Sequence, residues 1–141
     1  MSDSLRFSIR LPAHPLSVGV ARAVVRSLSR SLGSHNADSA ELLLSELVTN
    51  SIRHGSRTPD DPVDVELVLQ DRHLSGSVCD LGPLFDHPAE RPLPGQVGGF
   101  GLHIAAELGD VTIQRTNRGN RVIFSVPPVS DPDIATRTFC T

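Results

Sequence analysis

Each segment of this chain that alternates with a period of two is apolar on one side only. Leu5, Phe7, Ile9 and Leu11 alternate with Arg6, Ser8 and Arg10. Val63, Val65, Leu67 and Leu69 alternate with Asp64, Glu66 and Gln70, and after a turn near residues 71–73 the pattern resumes with Leu74, Gly76 and Val78. Val111 and Ile113, then Val122, Phe124 and Val126, continue it on either side of a turn at Asn117–Asn120. Half-buried strands of this kind need cover on one face and tolerate water on the other. Two intervening segments switch to helical spacing. Leu16, Val20, Val24 and Leu28 form a stripe that starts beside Pro15 and runs up to Gly33; Leu43, Leu44, Leu47 and Val48 form another. Asp38 followed by Glu41 resembles a capping box opening the second helix, and Gly55 fits the C′ position that ends it. A short helix from about Gly101 to Leu108 completes the set. The economical arrangement is a two-layer α/β (α+β) sandwich. Its sheet of about five strands is mixed but mostly antiparallel, because short turns link the strand pairs, and the helices lie on one face.

The chain of 141 residues is long enough to bury one core without disulfides or metal. Residues 1–127 read as a single domain, and 128–141 as a disordered tail. With no Trp or Tyr, that core is built from aliphatic side chains. A formal charge of −3 leaves no electrostatic footprint for direct nucleic-acid binding or an anionic membrane. No apolar run is long enough to span a bilayer, and the N-terminus lacks the apolar region of a secretory signal. Cys79 and Cys140 lack metal-like spacing and read as reduced thiols, so the expected location is cytoplasmic. Residues 81–98 are rich in Pro and Gly without periodicity; a loop of that length is usually functional or disordered.

Three elements carry candidate chemistry. Glu46, Asn50 and His54 follow one another at intervals of four, which places them in a stripe roughly 80° wide on one helix flank. Such a stripe is either a solvated flank or a set of aligned functional groups. Asp80 ends a strand in the register of its apolar face, so its carboxylate points toward the helix layer. There it needs partners; an amine on a ligand is one, and Gly82 would let a flat ring approach the backbone. A simple turn is the other reading of D-x-G. Finally, VGGFGLHIAAELGD places glycines at a helix entrance, which suits either phosphate contact or a hinge.

E-x-x-x-N on a helix, D-x-G after a strand and G-x-G-L opening a later helix occur here in that order. The combination resembles the GHKL (histidine kinase-like) ATPase superfamily over about residues 5–127. Within it the chain looks most like the anti-sigma factor serine/threonine kinases. The resemblance implies a Bergerat-type ATP-binding fold with Mg2+ and ATP as cofactors. It implies Asn50 as the metal ligand and Glu46 as the catalytic base or the group that orients the attacking hydroxyl. It implies Asp80 as acceptor of the adenine amino group, with Gly82 beside it. Gly99, Gly101 and Leu102 would form the phosphate-binding turn, and residues 83–98 the lid. His54, in the His-Gly ending of that helix motif, would approach a phosphate or pack at the helix end. The implied activity is phosphorylation of a STAS-type antagonist protein combined with sequestration of a sigma factor, and the apolar sheet faces permit a homodimer. A non-catalytic ATP-binding module and a detached histidine kinase catalytic domain are the alternatives. The sequence departs from the superfamily pattern in three places. Position 84 is Leu, where many relatives carry a second glycine. Gly119-Asn120 stands where many have Gly-Thr. The expected lid offers Arg91 but no lysine.

Overall fold

The computed structural model describes residues 4–56, 58–81 and 109–126. Gly82, the expected lid, Gly99, Gly101, Leu102, the short helix at 101–108, Cys140 and the tail lie outside them. The described elements run β1 (Leu5–Pro12), α1 (Leu16–Ser27), α2 (Ser29–Leu32), α3 (Ser34–His54), β2 (Pro62–Gln70), β3 (His73–Asp80), β4 (Asp110–Thr116) and β5 (Gly119–Val126). The five strands form one sheet in the order β1-β2-β3-β5-β4. Every pairing among the described strands is antiparallel, so the mixed character expected of the sheet is not seen in them. Tight turns account for two of those pairings. Asp71 and Arg72 form a two-residue hairpin loop with φ of 51° and 65°, the double left-handed geometry whose twist matches the flanking strands.

The alternation in sequence becomes an apolar face packed on the helices, and at Ser77, Ile123 and Ser125 the opposite face of β3 and β5 is buried as well. Leu11 of β1, Val63, Val65, Leu67 and Leu69 of β2, Leu74 and Val78 of β3, and Val122, Phe124 and Val126 of β5 belong to a single core cluster. Leu43, Leu44, Leu47 and Val48 of α3 complete it from the helix layer. Phe7, Ile9, Val111 and Ile113, on the two outer strands, are only partly buried against it, because an edge strand has a neighbour on one side alone.

Three helical details differ from the sequence expectation. The buried side of α1 is Ser17, Ala21 and Val25, one position beyond the first half of the expected stripe, whose second half holds: Val24 packs against the core and Leu28 is buried in it. Leu16 and Val20 are exposed instead, at 76% and 47%. A one-residue step rotates a helix face by about 100°, and the smaller residues face the core because they allow α1 to lie close. Its other ties to α3 are polar: Arg22 Nε donates to Ser45 Oγ at 3.1 Å, and Arg26 pairs with Glu41 at 2.8 Å. Second, α1 stops at Leu28, with α2 as a separate turn before Gly33. Third, α3 begins at Ser34, ahead of the expected capping box. Gly33 adopts φ 81°, a conformation that favours glycine, and its carbonyl accepts the Ala37 N–H at 2.9 Å. Asp38 is therefore an exposed residue already inside the helix.

Candidate active site

The C-terminal end of α3, the C-terminal end of β3 and the first residues of β5 converge. Asp80 is the last residue of β3 and is only 5% exposed, as its register predicted. Antiparallel pairing sets it opposite Val63 on one side and Asn120 on the other. Asn120 is equally buried, and its Nδ2 donates to Asp80 Oδ1 at 3.0 Å. An amide donor to a buried carboxylate supplies part of the compensation that burial of a charged group demands.

Two glycines press on the same carboxylate-bearing residue. A Cβ on Gly55 would run into the Asp80 carboxylate itself, meeting Oδ2, Cγ and Oδ1. A Cβ on Gly119 would run into the Asp80 carbonyl oxygen and approach Leu81 Cα to 2.9 Å. Gly119 also has φ 148°, a backbone conformation closed to most side chains. Gly55 does not: its φ is −99° and ψ 3°. Gly55 ends α3 as expected, but as its C-cap and without the left-handed conformation usual for glycine at C′. The helix simply stops there, with the Gly55 N–H still bonded to Ser51 O at 3.0 Å. What the position requires is the absence of a side chain.

Glu46, Asn50 and His54 lie along α3 as their spacing implied, and all three are half-buried. Their neighbours Leu43, Leu47 and Ser51 are buried, so the stripe borders the core. It is not a fully solvated flank. Asn50 Nδ2 is buried and has no hydrogen-bond partner among the described residues. The N and O ends of an amide are assigned by their surroundings. A buried amide end without a partner costs about 1–3 kcal/mol, which marks Asn50 as a group whose partner is not a described part of the protein. From the helical rise, Asn50 lies about 7 Å and Glu46 roughly 13 Å along the axis from Gly55. The structure thus joins Asp80 to the α3 terminus directly and sets Asn50 and Glu46 at increasing distance from it on the same helix. Among the described residues, no group of three His, Cys, Asp or Glu side chains could hold a metal. No helix among them is long and apolar enough to cross a membrane.

The family described as "Histidine kinase-like ATPase domain" matches residues 11–126. The chain belongs to that family. Proteins similar to this chain include "Serine-protein kinase RsbW" of Oceanobacillus iheyensis, 25% identical over 124 residues covering 78% of each chain. The protein of the same name from Listeria monocytogenes serotype 4a is 27% identical over 119 residues, 74% of this chain and 76% of that one. Among solved structures, the RsbU and RsbW domains of Rv1364c from Mycobacterium tuberculosis superpose with a TM-score of 0.63 at 22% identity. That likeness covers 88% of this chain but 34% of the larger one, and it establishes a shared fold. Membership in the histidine kinase-like ATPase family makes this an ATP-binding domain.

Asn120 and Gly55 were both visible in sequence, but not in these places. Asn120 stood out only as a departure from Gly-Thr, and Gly55 only as a helix stop. Neither contact with Asp80 has a sequence signal, because each joins residues from separate elements.

Proposed function

We propose that this histidine kinase-like domain is a Mg·ATP-dependent serine/threonine protein kinase of the anti-sigma factor type. It phosphorylates a STAS-type antagonist protein and sequesters a partner such as a sigma factor. The observation that carries the reading is the single line of groups from Asp80, beneath the end of α3, to Asn50 and Glu46 farther along that helix. Its length of roughly 13 Å is comparable with the reach of an extended nucleoside triphosphate. Similarity to two proteins named serine-protein kinase supports the choice of phosphoacceptor.

In this reading the Asp80 carboxylate accepts a hydrogen bond from the adenine amino group. Guanine would set a carbonyl oxygen against it, and two opposed acceptors in a dry site are strongly disfavoured. Asn50 offers its side-chain oxygen to Mg2+. The residues present fit that ion if the Asn50 amide, whose unpartnered end stands as Nδ2, is turned over so that its oxygen takes that place. The end that has no partner among the described residues would face the ion, and phosphate oxygens and water, the usual company of Mg2+, would complete its ligands. When bound, the ion would neutralise charge on the triphosphate. Glu46 orients the attacking hydroxyl and accepts its proton. Gly82, Gly99, Gly101 and Leu102 would contribute backbone contacts to base and phosphates, and His54 would either approach a phosphate or pack at the helix end. The protein acts in the cytoplasm and contacts no nucleic acid directly.

The test is phosphotransfer from labelled ATP to candidate antagonists, with Glu46→Gln as control. The expected result is an acid-stable phosphoprotein formed by the parent, and a rate at least about a hundredfold lower in the variant, the lower end of the range for loss of a general base. Tight ATP binding without transfer to any antagonist would reduce the protein to a binding module. An acid-labile product would identify a histidine kinase instead.

A further inference from the structure

We infer that Gly55 and Asn120 are positioning residues that set the Asp80 carboxylate for base discrimination. The inference rests on the reading above, in which Asp80 accepts from an exocyclic amine. It extends that reading to Gly55, in sequence only the end of a helix, and to Asn120, which stands where many relatives carry the threonine of Gly-Thr.

The argument starts from a glycine that its own backbone does not need. At φ −99° and ψ 3° residues with a side chain can sit at position 55 without backbone strain. The space that a Cβ would fill is already taken by the Asp80 carboxylate. Gly55 therefore forms one wall of the slot that holds this group. Asn120 forms the second restraint, through the 3.0 Å hydrogen bond from Nδ2 to Oδ1. This is a buried contact between neighbouring strands, opposite Asp80 in register. Packing from the helix side and a directional bond from the sheet side act on one carboxylate. Together they restrict both its position and the rotation of its plane. A group fixed before the ligand arrives loses little freedom on binding, and an acceptor pointing in one direction discriminates between amine and carbonyl better than a rotating one.

An alanine at position 55 need not disrupt the fold. The conflicting atoms are the tip of a side chain, so the carboxylate moves and the backbone stays. The same change would leave Asn50 and Glu46 untouched, since they lie farther up α3. Loss of discrimination is thereby separable from loss of phosphate binding.

The experiment compares binding of ATP with that of purine riboside triphosphate, which lacks the exocyclic amine, and of GTP, by calorimetry in the presence of Mg2+. The parent should bind ATP at least about tenfold more tightly than the amine-free nucleotide, the range for a hydrogen bond to a charged group. Gly55→Ala and Asn120→Leu should each bring that ratio to within about threefold of unity by weakening ATP alone. Asn120→Ser, which keeps a donor, should restore part of it. Thermal melting of each variant confirms that folded protein is being measured. A parent that does not discriminate would sink the amine-acceptor reading of Asp80 and this inference with it. A parent that discriminates, with both variants retaining its ratio, would overturn the positioning role alone. So would an equal loss of affinity for all three nucleotides, since that is the mark of a general structural defect.

Discussion

Asn50, the proposed metal ligand, carries a cost in the protein itself. Its buried Nδ2 has no partner among the described residues, and a core position with a free choice of residue would not retain such a group. Asn50→Ala should therefore divide the two properties. Calorimetry should show ATP affinity falling by more than about tenfold and no longer responding to Mg2+, as expected when a ligand to the ion is removed. Denaturant unfolding of the ligand-free variant should show stability unchanged or raised by up to about 1 kcal/mol, because the orphaned group is gone. Unchanged Mg·ATP affinity would disprove the metal-ligand assignment. The Asp80 site differs in kind. Its carboxylate has a protein donor in Asn120, and its setting depends on an atom that is missing, the Cβ of Gly55.

At the level of elements, two devices position the site. The first is the register of β3 between β2 and β5, fixed in part by the tight turn at Asp71-Arg72. A slip of one residue would turn every side chain of β3 to the other face, taking Asp80 away from α3. That turn is not optimal, since Arg72 has φ 65°, where a side chain costs roughly 1–2 kcal/mol. Arg72→Gly should raise stability by about 0.5–1 kcal/mol after the entropy of glycine in the unfolded chain is allowed for. Thermal melting would register this as a rise of a few degrees; a fall would show that Arg72 makes a stabilising contact of greater value. The second device is the early start of α3 at Gly33. The carboxylate at Asp38 and the glutamate at position 41 had suggested a cap, but Glu41 instead pairs with Arg26 across to α1. There both groups keep α1 aligned on α3. The Arg26 guanidinium is held above its ordinary pKa by that hydrogen bond and by the attraction of the same carboxylate.

For the molecule as a whole, the helices and the sheet are joined through one apolar layer, and the candidate site lies where that layer meets the ends of α3, β3 and β5. Ligand binding there should be felt by the entire fold. At a concentration about 100 times its Kd, Mg·ATP should stabilise the protein by about 2.7 kcal/mol, seen as a rise in melting temperature. GTP at the same concentration should produce a much smaller shift. Asp80→Ala should lose the response to ATP. An equal response to both nucleotides would show that the site reads the triphosphate and not the base.

Much of this architecture could be read without coordinates, because it depends on periods along the chain. Alternation in β1, β2, β3 and β5 and the Leu43, Leu44, Leu47 and Val48 stripe follow from burial of an apolar face against the other layer; the further burial of Ser77, Ile123 and Ser125 has no such period. The same register put Asp80 on the core side of its strand, and the spacing of four put Glu46, Asn50 and His54 on one helix flank. Local rules failed where two patterns competed: the bulkier Leu16 and Val20 suggested the buried side of α1, but close packing on α3 selected Ser17, Ala21 and Val25. Tertiary structure alone decided which residues meet across elements. Gly55 and Asp80 are 25 positions apart in sequence and Asp80 and Asn120 are 40. A contact between them depends on where a helix and two strands end in space. The sequence determined which faces had to be buried, because hydrophobic burial is periodic and local. The fold determined that a glycine would stand against a carboxylate, because excluded volume between distant segments exists only once the chain has closed on itself.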